Sequence, residues 1–125
     1  MPYSLTVEPK TKYLHVSVSG TNTPENVLSY LVEVQAKCKE LNFTNVLIEE
    51  NLQGAGLNII DVFDVVNQAS KQTYSFPLHI AYVDLNPEHE KRRMEFAESV
   101  AVNRGVDVKV FSGVADAEKW LTSVR

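Results

Sequence analysis

After residue 12 the sequence alternates four times between a short apolar run and a longer stretch with helical periodicity, and that alternation leaves few architectures open. Strands joined through helices run parallel with right-handed crossovers, so four strand-helix turns predict a parallel sheet with helices packed on it. Leu14, Val16 and Val18 share one face of the first such strand, with Tyr13, His15 and Ser17 opposite. Val46-Leu47-Ile48 is an unbroken apolar run, the pattern of a strand covered on both faces. Leu78-His79-Ile80-Ala81-Tyr82-Val83 is the next strand, and Val106-Asp107-Val108-Lys109-Val110 alternates strictly, which places it toward an edge. Ahead of these, Tyr3, Leu5 and Val7 form one more alternating segment. Pro9-Lys10-Thr11-Lys12 is a hairpin-length link, so this first strand is expected to run antiparallel to the second.

The helical stretches carry start signals. Thr23 offers an N-cap oxygen and Pro24 the first helical position, after which Val27, Leu31, Val34, Cys38 and Leu41 make one apolar stripe. Asn58 caps a second helix with Asp61 in its first turn; Ile59, Val62, Phe63 and Val66 are its inward side and Asp61, Asp64, Gln68 and Lys71 its outward side. Asn86-Pro87-Glu88 predicts the start of a third helix that runs to Arg104-Gly105, where Gly105 adopts the left-handed stop. Ala117, Trp120, Leu121 and Val124 mark a last short helix. The expected fold is therefore α/β, in the order β-β-α-β-α-β-α-β-α, a mostly parallel sheet with an antiparallel first strand. The 125 residues form one domain, 1–125, of a size that buries roughly two-thirds of the unfolded chain's surface.

Composition excludes several functions. A net charge of -4 argues against a binder of phosphate backbones, so no nucleic-acid partner is expected. Cys38 is the single cysteine, which precludes an internal disulfide or a paired-cysteine metal site and fits a reducing, cytoplasmic setting. Met1-Pro2-Tyr3-Ser4-Leu5-Thr6 lacks a signal-peptide pattern, and no apolar run approaches the ~20 residues that span a bilayer.

Three phrases carry a family resemblance over essentially the whole chain. Val46-Leu47-Ile48 leads into Gly54-Ala55-Gly56-Leu57-Asn58-Ile59-Ile60. Residues 96–106 read Phe96-Ala97-Glu98-Ser99-Val100-Ala101-Val102-Asn103-Arg104-Gly105-Val106. Val110-Phe111 is followed by Ala117-Glu118-Lys119-Trp120-Leu121. The succession resembles the STAS domain of bacterial anti-sigma-factor antagonists and sulfate-transporter tails, especially its stand-alone SpoIIAA-like branch. In the antagonists the loop before the second helix looks like Asp-Ser-Ser-Gly-Leu-Gly, and its second serine is phosphorylated to switch binding off. Matching Gly56-Leu57 to that Gly-Leu puts Ala55 at the switch serine, in a loop shorter than theirs. The resemblance thus implies a regulatory protein-binding domain whose docking surface is kept while the phosphorylatable hydroxyl is absent.

No constellation amounts to a catalytic apparatus, and no cofactor is implied. Gly54-Ala55-Gly56 before a helix could cradle an anion, but Glu49 and Glu50 lie upstream and no Lys or Arg falls between Thr44 and Ser70. The parallel topology is expected to gather Glu49, Glu50, Asp84, Glu88 and His89 at the strand ends where open α/β sheets bind ligands. Glu88 and His89 are expected in the first turn of the third helix, where an acid complements the dipole, and no spacing fixes metal geometry. His15 and His79 read as structural histidines, and Cys38 as a small buried hydrophobe. Lys91-Arg92-Arg93 is interleaved with Glu88, Glu90, Glu95 and Glu98 at helical spacing, the pattern of a solvated, ion-paired face.

The leading expectation is a non-catalytic domain that binds another protein through Leu52, Gln53, Gly54, Ala55, Gly56, Leu57, Asn58, Asp61 and Asp64. The alternative is a carrier of a small apolar ligand or lipid, for which Val65 and Tyr30, off the main stripes, leave a cavity between helix and sheet. A third reading is a hydrolase built on Asp84, His89 and Glu49. The first strand and the last helix also offer surfaces for homodimerisation.

Overall fold

The computed structural model describes residues 3–54, 56–71 and 76–123. Its elements follow in the order β1 (Ser4–Pro9), β2 (Leu14–Thr21), α1 (Pro24–Leu41), β3 (Asn45–Gln53), α2 (Ile59–Ser70), β4 (His79–Asp84), α3 (Lys91–Asn103), β5 (Asp107–Phe111) and α4 (Val114–Thr122). The five strands lie side by side in sequence order. β1 pairs antiparallel with β2, and every later pair is parallel.

Each crossover steps one strand further in the same direction, and right-handed connections of that kind put their helices on a single face. α1, α2 and α3 accordingly pack together over one side of the sheet, while α4, which follows the last strand, returns to the other side against β3, β4 and β5. The core is therefore in two parts. Leu14, Val16, Val46, Ile48, Leu52, Tyr30, Val34 and Cys38 fill the three-helix side; Leu47, Ala81, Val83, Ala117 and Leu121 fill the α4 side. Val46, Leu47 and Ile48 are all buried, as their unbroken run requires of a strand covered on both faces.

Local chemistry sets most of the boundaries. The Thr23 hydroxyl accepts from the Asn26 amide at 3.1 Å, with Pro24 opening α1. Asn42 stops that helix in the left-handed region at φ 62°, a conformation its short polar side chain tolerates. Asn58 Oδ1 caps α2 through the Asp61 amide at 2.8 Å, and Gly105 takes φ 84° after α3.

Three expectations are corrected. The third helix begins at Lys91, not at Asn86-Pro87-Glu88. Asn86 is buried and its polar groups are spent on a turn: Nδ2 donates to the Leu52 carbonyl at 2.7 Å, and Oδ1 accepts from the Glu88 amide at 2.9 Å. Glu88 and His89 therefore precede the helix. Ile59 and Phe63 face outward, because α2 turns Val62 and Val65 to the sheet. Tyr30 and Val65 belong to the main core instead of lying off it. The α4 helix ends at Thr122, and Val124 lies outside the described residues.

Candidate functional site

Side chains alternate across a strand, so the face of β3 that carries Val46, Ile48 and Leu52 also carries Glu50. This carboxyl is 3% exposed, beneath the three-helix layer. Tyr30 reaches it from α1 and Tyr82 from β4, where Tyr82 lies on the same side as Ile80 and Asp84. Both phenols donate to Glu50 Oε2, and their own oxygens are 2.8 Å apart. Burial pushes the Glu50 pKa above the ordinary carboxylate value, and the nearby Asp84 adds to this, while the tyrosine hydrogen bonds pull it partly back. The Tyr30 and Tyr82 hydroxyls are held well above the usual phenol range, by burial first and by Glu50 next.

The end of β4 adds a second pair. His89 Nδ1 lies 2.6 Å from Asp84 Oδ2, both side chains being almost wholly covered. His89 Nε2 is 3.1 Å from the Gly54 carbonyl and 3.3 Å from Asn22 Nδ2. Asp84 Oδ1 accepts from the Asn86 amide at 3.0 Å. Arg93 Nη1 donates to the carbonyls of Leu57 at 2.7 Å and Gly56 at 3.3 Å, tying α3 to the chain entering α2. One potential ligating atom each from Glu50, Asp84 and His89 lies within 4.8 Å of the others, close enough for a metal ion.

A cavity of about 180 Å³ opens beside this cluster, between α2, α3 and the sheet. Its walls are apolar, with Val34, Ile48, Val65, Ile80, Met94 and Val108 prominent, and Glu50, Tyr82, Asp84 and His89 stand among the lining residues. The space is about the size of an engineered 150 Å³ cavity that accommodates benzene. Such a combination of an apolar enclosure with a few convergent polar groups is the usual form of a small-molecule site.

The anticipated edge cluster is only partly assembled. Glu50, Asp84 and His89 come together. Glu49 points to the opposite face, where His15 Nε2 meets Glu49 Oε1 at 2.8 Å, so it takes no part with Asp84 and His89. Glu88 is exposed. His79 is structural, stacked 4.1 Å from the Trp120 ring and 2.7 Å from Asp107 Oδ2. Cys38 is inside the core, where burial pushes its thiol up to about 12.

The expected docking segment is more mixed. Leu52 is wholly buried; Gln53, Gly54, Asn58 and Asp64 are exposed; Gly56, Leu57 and Asp61 are half-buried. Ala55 lies outside the described residues. Outward from the same segment stand Ile59, Ile60 and Phe63, at 48%, 72% and 41% exposure. Sequence reasoning did not place Ile60, and it also missed Glu50, Tyr30 and Tyr82 as a unit.

No protein-family model matches the sequence, and no curated protein matches it. Solved structures do match in shape. An uncharacterised protein with a SpoIIAA-like fold from Shewanella loihica shares 17% identity at a TM-score of 0.53, with 95% of this chain and 93% of that one covered. The chain has a SpoIIAA-like fold. It is also similar in shape to an anti-sigma factor antagonist from Mycobacterium paratuberculosis, at 15% identity and a TM-score of 0.57, with 97% and 95% of the two chains covered. A serine-to-glutamate variant of RsbS from Moorella thermoacetica gives 12% identity and 0.56 over 94% and 93%. The expected mixed sheet with an antiparallel first strand is the one observed.

Proposed function

We propose that this SpoIIAA-like chain is a non-catalytic regulatory domain that binds another protein through the segment running from residue 52 to residue 64. The observation that carries the reading is the outward side of α2, where Ile59, Ile60 and Phe63 are exposed together beside Asp61 and Asp64. Isolated surface apolar residues need no explanation, but three on one helix start, edged by acids, have the composition of an interface centre with a polar rim. The likeness to an anti-sigma factor antagonist supports the same direction. Ala55 has no hydroxyl, so the reading includes no phosphate switch at that position. It places the protein in the cytoplasm with Cys38 reduced.

The test is affinity capture with the native chain, the paired variant Ile60→Asp and Phe63→Asp, and Asp116→Lys on α4 as a control. A partner held by the native chain and the control is expected to be lost by the paired variant. Ile60→Asp is expected to change stability by no more than about 0.5 kcal/mol, and Phe63→Asp, which takes the ring from under the Arg104 guanidinium, to cost about 1 kcal/mol. Identical captured proteins from all three chains would contradict the reading.

A second reading, a carrier of a small molecule, is favoured by one observation: the apolar cavity between α2, α3 and the sheet has a buried carboxyl in its lining.

A further inference from the structure

We propose that this cavity takes a small amphipathic molecule whose apolar body lies under α2 and α3 and whose head donates hydrogen bonds to Glu50, a primary amine or an alcohol in preference to a carboxylic acid. The inference deepens the carrier reading and rests on it. Its first support is the split of Glu50's two oxygens. Oε2 accepts from Tyr30 and Tyr82, whereas Oε1 takes no hydrogen bond among the described residues, and the side chain is part of the cavity wall. Oε1 is thus the carboxyl oxygen that can accept from a molecule in the cavity.

The second support is the shortage of donors facing that oxygen. Arg93 is committed to the Gly56 and Leu57 carbonyls and lies 3.7 Å from Glu90. His89 is engaged by Asp84 through Nδ1 and lies against Gly54 and Asn22 through Nε2. Glu98 Oε1 accepts from the Val110 amide at 2.6 Å. The lining acids, Glu50, Asp84, Glu90 and Glu98, outnumber Arg93 and His89. A carboxylate head would add negative charge beside Glu50 and Asp84, and a pure hydrocarbon would leave Oε1 unpaired. An ammonium or hydroxyl head satisfies that oxygen while its body displaces water from the apolar walls.

The probes are four molecules with one ring body and different heads: toluene, benzyl alcohol, benzylamine and benzoate. Their affinities for the full chain are measured by ligand-observed NMR. Benzylamine and benzyl alcohol are expected to bind about tenfold more tightly than toluene, and benzoate more weakly than toluene, since a hydrogen bond to a charged or buried partner is worth a factor of that size. Glu50→Gln is expected to remove the preference for benzylamine over toluene. Should that variant fail to fold, the order of the four probes on the native chain decides alone. Equal binding of all four, or tighter binding of benzoate, overturns the head assignment and leaves the carrier reading standing. Absence of binding by every probe, toluene included, overturns the carrier reading and the assignment with it.

Discussion

Glu50 sits where a charge is expensive, and the consequence is measurable in how stability depends on pH. Its pKa in the folded protein is raised by burial, so between the ordinary glutamate value and its own the folded chain binds more protons than the unfolded chain. Stability from this group is present at low pH and is lost as pH rises through the raised pKa. Glu50→Gln removes the titration but keeps an oxygen for Tyr30 and Tyr82. The melting temperature of the variant relative to the native chain is therefore expected to climb as pH rises above the ordinary glutamate value and to level off above Glu50's own raised pKa, as linkage requires. A difference that is flat with pH, measured by calorimetry across that range, would contradict the account of this carboxyl. The residue was legible in part. Extending the strand signal of Val46-Leu47-Ile48 by four residues puts Glu50 and Leu52 on the inner face by alternation alone. Likewise Val27, Tyr30, Val34 and Cys38 form a helical stripe as regular as the one drawn through Leu31, with Tyr30 on it. What no local pattern contains is that β3, β4 and α1 bring the three oxygens together, since their separations in sequence are 20 and 32 residues.

The elements divide the work between two faces of the sheet. α2 is shared: Val62 and Val65 turn toward the cavity and the sheet, whereas Ile59, Ile60 and Phe63 face outward. α4 belongs to the opposite face, where Leu121 is 2% exposed and packs with Leu47, Ala81 and Val83. Leu121→Ala is expected to cost about 2–4 kcal/mol in denaturant unfolding, the range for emptying a core leucine site. The folded variant is expected to retain the native order of probe affinities; a changed order would show that the two faces are not independent. Helix starts were the least legible feature. Thr23-Pro24 and Asn58 do cap helices, but Asn86-Pro87-Glu88, with the same appearance, makes a turn in which the asparagine amide reaches Leu52. The difference is tertiary: a buried carbonyl at the end of β3 accepts from the side chain, and the helix waits until Lys91. That delay is what brings His89 back over Gly54 and Asp84 instead of leaving it on a helix surface.

At the scale of the whole molecule, sequential strand order with right-handed crossovers stacks three helices on one side and leaves α4 alone on the other. The order of elements was readable because each strand ends where a helical stripe begins. The cavity was not, because it depends on how far α2 and α3 stand from the sheet. The three-helix side then carries both proposed activities, with the cavity beneath α2 and the docking surface upon it. Amide NMR of the labelled chain titrated with benzylamine tests this layout most directly. Shifts are predicted for residues around Glu50, Tyr82 and His89 and along the inner sides of α2 and α3, with α4 unmoved. Shifts centred on Ala117, Trp120 and Leu121, or none at saturating probe, would contradict it.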